Sequence, residues 1–179
     1  AVSPPSKALD ARQPQQFTAP LSASSNTSLS SSLNPAVGSI SSTGLYTAPA
    51  AVASQQTVSV IATSKASASA KGTSSVTLYP AVAIATTAIP AATVSSAYNA
   101  TILASGGRAP YTWTRTSGNL PAGVTFTSSG VLSGTPSTSG TFAFAVTATD
   151  ANGGSASKTL SLTVAAAPTG WLPVLTNSL

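Results

Sequence analysis

The sequence predicts an all-β chain that folds as two tandem antiparallel β-sandwiches followed by a strand-like C-terminal tail. Apolar residues alternate with polar ones over short segments, which is the period of a half-buried strand. Turn signals rich in Gly, Ser and Pro separate these segments, and no segment carries a convincing helical stripe. The pattern occurs twice along the 179 residues, in two blocks that are each close to the size of one small sandwich.

The predicted strands are short and rich in Val, Thr and aromatic residues. They cover 58–64 and 75–79 in the first block, then 98–104, 111–116, 141–149 and 158–164 in the second. The clearest inward faces are Phe142, Phe144, Val146 and Ala148 in one strand and Leu160, Leu162 and Val164 in the next. The aromatic residues Tyr46, Tyr98, Tyr111 and Trp113 are candidates for a sugar-stacking platform, but core packing is the better interpretation.

A boundary near Pro80 organises the chain. We predict a first domain over residues 1–80, a second over 81–164, and a linker with an apolar tail over 165–179. The chain starts at Ala1 rather than Met, as a secreted product does after its export signal is removed. No apolar run is long enough to span a bilayer, so we expect no membrane span.

Charged residues make up only 5% of the chain, with 7 Lys and Arg against 2 acids. Asp10 and Asp150 are those acids, so they form the only conceivable carboxylate pair for acid–base work. His and Cys are absent, which removes an imidazole base, a thiolate nucleophile and ordinary zinc or iron ligands. We therefore expect no enzyme, catalytic residue, metal or cofactor.

The cations are scattered, so we expect no nucleic-acid partner. A surface with so little charge permits assembly, although resistance to proteases that cut at Lys or Arg explains it equally well.

Motifs in the second block resemble the putative Ig-domain family, which occurs as repeats in bacterial surface and secreted proteins. They are SGGRAPYTW (105–113), LPAGVTF (120–126), GVLSGTP (130–136) and GTFAFAVTATDANG (140–153). The first block resembles a bacterial Ig-like repeat of the group-two kind through QQFTA (15–19), NPAVGSIS (34–41) and STGLYTAPA (42–50). The resemblance implies immunoglobulin-like β-sandwiches at the cell surface or outside the cell, structural or adhesive and usually not catalytic. Repeats of the first kind commonly carry Trp where this chain has Ser31, and the loss of such a side chain leaves a hole or a rearranged core.

The tail combines Trp171, Leu172, Val174, Leu175 and Leu179, which are costly to leave in water. An extended apolar segment can add as a strand to the sheet edge of another subunit. We therefore expect the tail to dock into a neighbouring copy, with the space at Ser31 as a candidate acceptor. The alternatives are that it folds back on its own domain or docks onto a larger partner. Repetition of such a contact gives a filament when the contact does not close into a ring.

Two further motifs bear on possible sites. Asp150 and Asn152 lie in a DANGG segment, where a tight turn is a better interpretation than a calcium site, since the two acids are far apart in sequence. Asn26 and Asn99 match the glycosylation sequon, although such matches arise easily by chance in a chain rich in Ser and Thr.

The sequence thus predicts a secreted, non-catalytic structural protein, the subunit of an extracellular fibre, pilus-like filament or surface layer assembled by β-strand addition between copies of itself. The alternative is an Ig-like spacer, or an adhesive or carbohydrate-binding module, of a cell-surface or secreted protein.

Overall fold

The structure, a computed structural model, describes residues 1–20 and 28–168. Throughout these residues the regular elements are strands. The described chain divides into two compact units. Unit 1 comprises 1–83, 104–112 and 148–156, and unit 2 comprises the other described residues.

The first seven strands belong to unit 1. They are β1 (Ser6–Asp10), β2 (Pro14–Gln16), β3 (Leu29–Asn34), β4 (Ser39–Ile40), β5 (Leu45–Thr47), β6 (Gln56–Ser64) and β7 (Lys71–Tyr79). They form one sheet in the order β1-β7-β6-β3 and a second in the order β2-β5-β4. β1 runs parallel to β7, whereas β6 pairs antiparallel with both β7 and β3. β1 and β3 are therefore the edge strands of the larger sheet.

Side chains from both sheets form the core of unit 1. Its buried members are Val2, Leu9, Phe17, Tyr46, Ala48, Val52, Val58, Val60, Ala62, Val76 and Leu78. Alternation in β6 explains this packing, because Val58, Val60 and Ala62 all project to one face. Tyr46 is fully buried, and its hydroxyl donates a hydrogen bond of 3.0 Å to the Val37 carbonyl. Burial raises the pKa of Tyr46 above its usual value.

The second half of the chain supplies the remaining strands. They are β8 (Ala83–Ile84), β9 (Ala92–Thr93), β10 (Tyr98–Thr101), β11 (Ala104–Ser105), β12 (Thr112–Gly118), β13 (Val124–Phe126), β14 (Val131–Gly134), β15 (Gly140–Thr149) and β16 (Ser155–Ala165). Two sheets, β10-β14-β13 and β12-β15-β16-β9, form the sandwich, while β8 and β11 pair separately.

The buried positions of this half follow the predicted alternation. Phe144, Val146, Leu160, Leu162 and Val164 are all at most 4% exposed, although Phe142 is only half-buried near the start of β15. Trp113 is also buried. The prediction of an all-β sandwich fold is confirmed.

The strand predicted over 98–104 is wrong in one respect, because it breaks at Ile102 and Leu103. The Ile102 N–H donates to the Gly130 carbonyl, and the Leu103 N–H donates to the Thr86 hydroxyl. The Leu103 side chain remains 60% exposed.

Candidate functional site

An apolar cavity of about 230 Å³ lies beneath the edge strand β3 of unit 1. Ser31 pairs in register with Ala62, so two small side chains lie opposite each other where a larger one would fill the core. The larger side chains of the lining include Phe17, Ile40 and Val60. The inward residues of β3 are only half-buried, which leaves this side of the sandwich incompletely covered.

Other residues singled out from the sequence fall partly outside the described chain. Trp171, Leu172, Val174, Leu175 and Leu179 lie outside the described residues, and so does Asn26. Asn99 lies in β10 with its side chain exposed, between the buried residues Tyr98 and Ala100.

The fold brings Asp10 and Asp150 together within unit 1, although 139 residues separate them in sequence. Asp10 is 5% exposed and Asp150 is 6% exposed. Asp10 accepts a hydrogen bond of 3.0 Å from the Asn152 amide, and the Gln13 amide donates to the same carboxylate at 3.3 Å. Sequence separation was therefore a poor guide here, because long-range folding decides which turns meet.

Asp150 stabilises the turn in which it lies. Its carboxylate accepts backbone hydrogen bonds from Arg108 at 2.8 Å, Asn152 at 3.0 Å and Gly154 at 2.8 Å. Its own backbone closes the turn through bonds with Gly153 and Gly154. The turn predicted for this segment is confirmed, and the carboxylate that anchors it is held by three N–H donors.

Burial raises the pKa of Asp10 above its usual value, and the nearby Asp150 raises it further, whereas the hydrogen bond from Asn152 lowers it. The physical cause is that a second negative charge in a poorly solvated site disfavours ionisation. Among residues 1–20 and 28–168 no three His, Cys, Asp or Glu side chains gather as a metal site would require.

A polar groove of about 760 Å³ runs along β1 in unit 1. The groove is lined by residues of β1 and β2, of the turn between them, and of the end of β7. Residues from the segments 104–112 and 148–156 complete the lining. Lys7, Tyr79 and Arg108 contribute its cationic and aromatic groups. This groove was not predicted from the sequence, because its residues are scattered along the chain.

The aromatic residues weighed as a sugar platform pack mainly in the interior. Tyr46, Tyr98 and Trp113 are at most 8% exposed, and the Tyr98 hydroxyl donates to the Pro90 carbonyl at 2.9 Å. The preference for core packing is confirmed for these three residues. Tyr79, which the sequence analysis did not consider, is the aromatic residue of the groove.

Within the described part of the chain, no helix is long and apolar enough to cross a lipid bilayer.

Several solved structures are similar to this chain. A C-terminal fragment of intimin, solved in complex with the translocated intimin receptor, aligns with a TM-score of 0.51 and 17% identity over 76% of this chain and 51% of that chain. Titin domains I67–I69 align with a TM-score of 0.43 and 14% identity over 90% of this chain and 63% of that chain. A Bacteroides fragilis protein reported as a putative alpha-galactosidase aligns with a TM-score of 0.42 and 25% identity over 47% of this chain.

The chain spans only 17% of that Bacteroides fragilis protein and about half of the intimin fragment. No curated protein sequence matches it. A family model described as Putative Ig domain matches residues 80–165, the part that carries β8 to β16. Residues 80–165 therefore resemble an Ig-like domain of that family.

Proposed function

We propose that this chain is a secreted, non-catalytic structural protein whose copies join by strand addition into an extracellular fibre or surface layer. The observation that carries the proposal is the Ser31 cavity, which lies directly beneath β3. β3 is an edge strand, and in the described residues only its β6 side is paired. An unpaired edge offers backbone hydrogen bonds to an incoming strand, and the cavity offers room for one of its side chains.

The apolar segment 171–175 of a second copy is the occupant that we propose. An apolar cavity of about 150 Å³ binds benzene, so about 230 Å³ has room for a ring larger than benzene, such as the indole of Trp171. Burying an aromatic side chain of about 150–250 Å² contributes roughly 4–6 kcal/mol. Association costs about 4–15 kcal/mol, so Trp171 alone does not suffice. The remaining free energy of association comes from burial of Leu172 and Val174 and from the hydrogen bonds along β3.

Electron microscopy and sedimentation of the full chain test the proposal. We expect fibres or a ladder of oligomers, and deletion of residues 168–179 should yield folded monomers. Leu103→Ser is the matched control, because it removes a 60% exposed apolar side chain that belongs neither to the proposed donor segment nor to the lining of the Ser31 cavity. That variant should assemble normally.

A mixing experiment separates docking between copies from folding back. Ser31→Trp fills the acceptor and keeps the donor segment, whereas Trp171→Ala keeps the acceptor and weakens the donor. Each variant alone should be monomeric, and their mixture should form dimers. Polymers that survive the deletion would refute the proposal. Monomers in every sample would leave a spacer or adhesive Ig-like module as the better description.

A further inference from the structure

The exposed charge of the described chain is entirely cationic. Asp10 and Asp150 are the only side-chain carboxylates in the whole sequence, and both are buried and hydrogen-bonded within unit 1. The seven Lys and Arg therefore have no acidic partner at the surface. An excess of uncompensated positive charge favours anionic ligands.

Two of these cations, Lys7 and Arg108, line the groove along β1. Within residues 1–20 and 28–168 neither side chain makes a hydrogen bond or ion pair. Other cations are engaged, since the Lys158 ammonium donates to the Thr86 carbonyl and the Arg115 guanidinium donates to the Gly118 carbonyl. Lys7 and Arg108 are both exposed and free to bind a ligand.

The remaining groups of the groove suit a hydroxylated ligand. Tyr79 is half-buried at the end of β7, and its hydroxyl makes no hydrogen bond within the described chain. Gln15 and Asn152 add amide oxygens, which can accept from sugar hydroxyls, while their NH2 groups already donate to the Gln16 carbonyl and to Asp10. The backbone of β1 lies along the groove with one side outside the sheet, because among the strands of the described residues β1 pairs only with β7.

We propose that this groove binds a segment of acidic polysaccharide. The Arg108 guanidinium and the Lys7 ammonium hold uronate carboxylates or sulfate esters, since a guanidinium group pairs with two oxygens of a carboxylate or of a tetrahedral oxyanion through two parallel hydrogen bonds. One sugar ring lies against Tyr79, which presents an apolar face beside a polar hydroxyl. A single aromatic residue argues against single-stranded nucleic acid, whose binding uses a row of stacking platforms. The site is independent of the Ser31 cavity, so it holds whether or not copies of the chain assemble.

Affinity electrophoresis and calorimetry of the full chain test the site with polygalacturonate, dextran sulfate and neutral dextran. We expect binding to the two acidic polymers and not to dextran. The double variant Lys7→Gln/Arg108→Gln should weaken binding by about tenfold or more, the scale of losing one charge-assisted contact. Tyr79→Leu should weaken binding, and Tyr79→Phe, which keeps the ring, should retain most of it.

Lys65→Gln/Arg115→Gln is the matched control, because it makes the same change in net charge at exposed positions outside the groove. It should change the affinity by less than about twofold, since neither side chain lines the groove. Equal losses in the two double variants would overturn the proposal in favour of general electrostatic attraction. Equal binding of neutral dextran would also overturn it, and so would tighter binding of single-stranded DNA through Lys7 and Arg108.

Discussion

Replacing Asp10 by asparagine tests the meaning of the buried acid pair. A methyl carbon built on Gly154 would lie 2.6 Å from Asp10 Oδ2 and 3.3 Å from Asp150 Oδ1, so these two oxygens lie within about 6 Å of each other. Two unit charges at that separation repel by about 3 kcal/mol at an effective dielectric constant of 20 and by less than about 1 kcal/mol in water. The asparagine side chain would remove this repulsion and keep an oxygen to accept the bond from Asn152, while losing the 3.3 Å bond that Oδ2 accepts from Gln13.

We therefore expect Asp10→Asn to stabilise unit 1 by about 1 kcal/mol at pH 7, after the weaker hydrogen bonds of a neutral acceptor are subtracted. That corresponds to a rise of about 4–8 °C in the melting temperature of a domain of this size. The folded-state pKa of Asp10 is raised. Asp10 therefore stabilises unit 1 at pH values below its unfolded-state pKa, and this stabilisation is lost as pH rises through its folded-state pKa. In Asp10→Asn this loss of stability with rising pH should be absent.

Asp150→Asn is the contrasting variant, because it also removes one carboxylate but should destabilise unit 1. Asp150 accepts three backbone N–H bonds, and hydrogen bonds to a charged group contribute about 1.5–3 kcal/mol each. The assay is native-state hydrogen exchange of the β6 and β7 amides between pH 4 and pH 8, which isolates unit 1. Asp10→Asn could instead leave the stability of unit 1 unchanged or lower at pH 7, with the same pH dependence. In that case repulsion between the two acids is not the cause of the pH dependence.

The remaining predictions concern packing. Phe144→Ala should destabilise unit 2 by about 3–5 kcal/mol in urea unfolding, because the ring is 1% exposed; a loss below about 1 kcal/mol would contradict that packing. Tyr46→Phe should cost about 1 kcal/mol by removing the bond to Val37, which thermal unfolding followed by circular dichroism would measure. Ser31→Val should raise the stability of unit 1 by about 1 kcal/mol by filling part of the cavity, and a decrease in hydrogen-exchange protection would argue against available space. Gly154→Ala should lower the melting temperature, because its methyl group would lie 2.6 Å from Asp10 Oδ2.

The strands and their inward faces could be predicted from the sequence by itself, because alternation with period two is a local property. Leu160, Leu162 and Val164 illustrate this, since burial of one forces burial of the others along β16. Ser31 could likewise be recognised as a small residue where related repeats carry a larger one. Ser31 pairs with Ala62, and these two small side chains together leave a cavity. This pairing depends on the register of β3 with β6.

Only the tertiary structure decided which distant residues meet. Asp10 reaches Asp150, and Lys7 shares a groove with Arg108, because unit 1 includes two segments from the second half of the chain. The parallel pairing of β1 with β7 is equally non-local. Such contacts depend on strand order and chain crossings, which short-range patterns of polar and apolar residues do not encode.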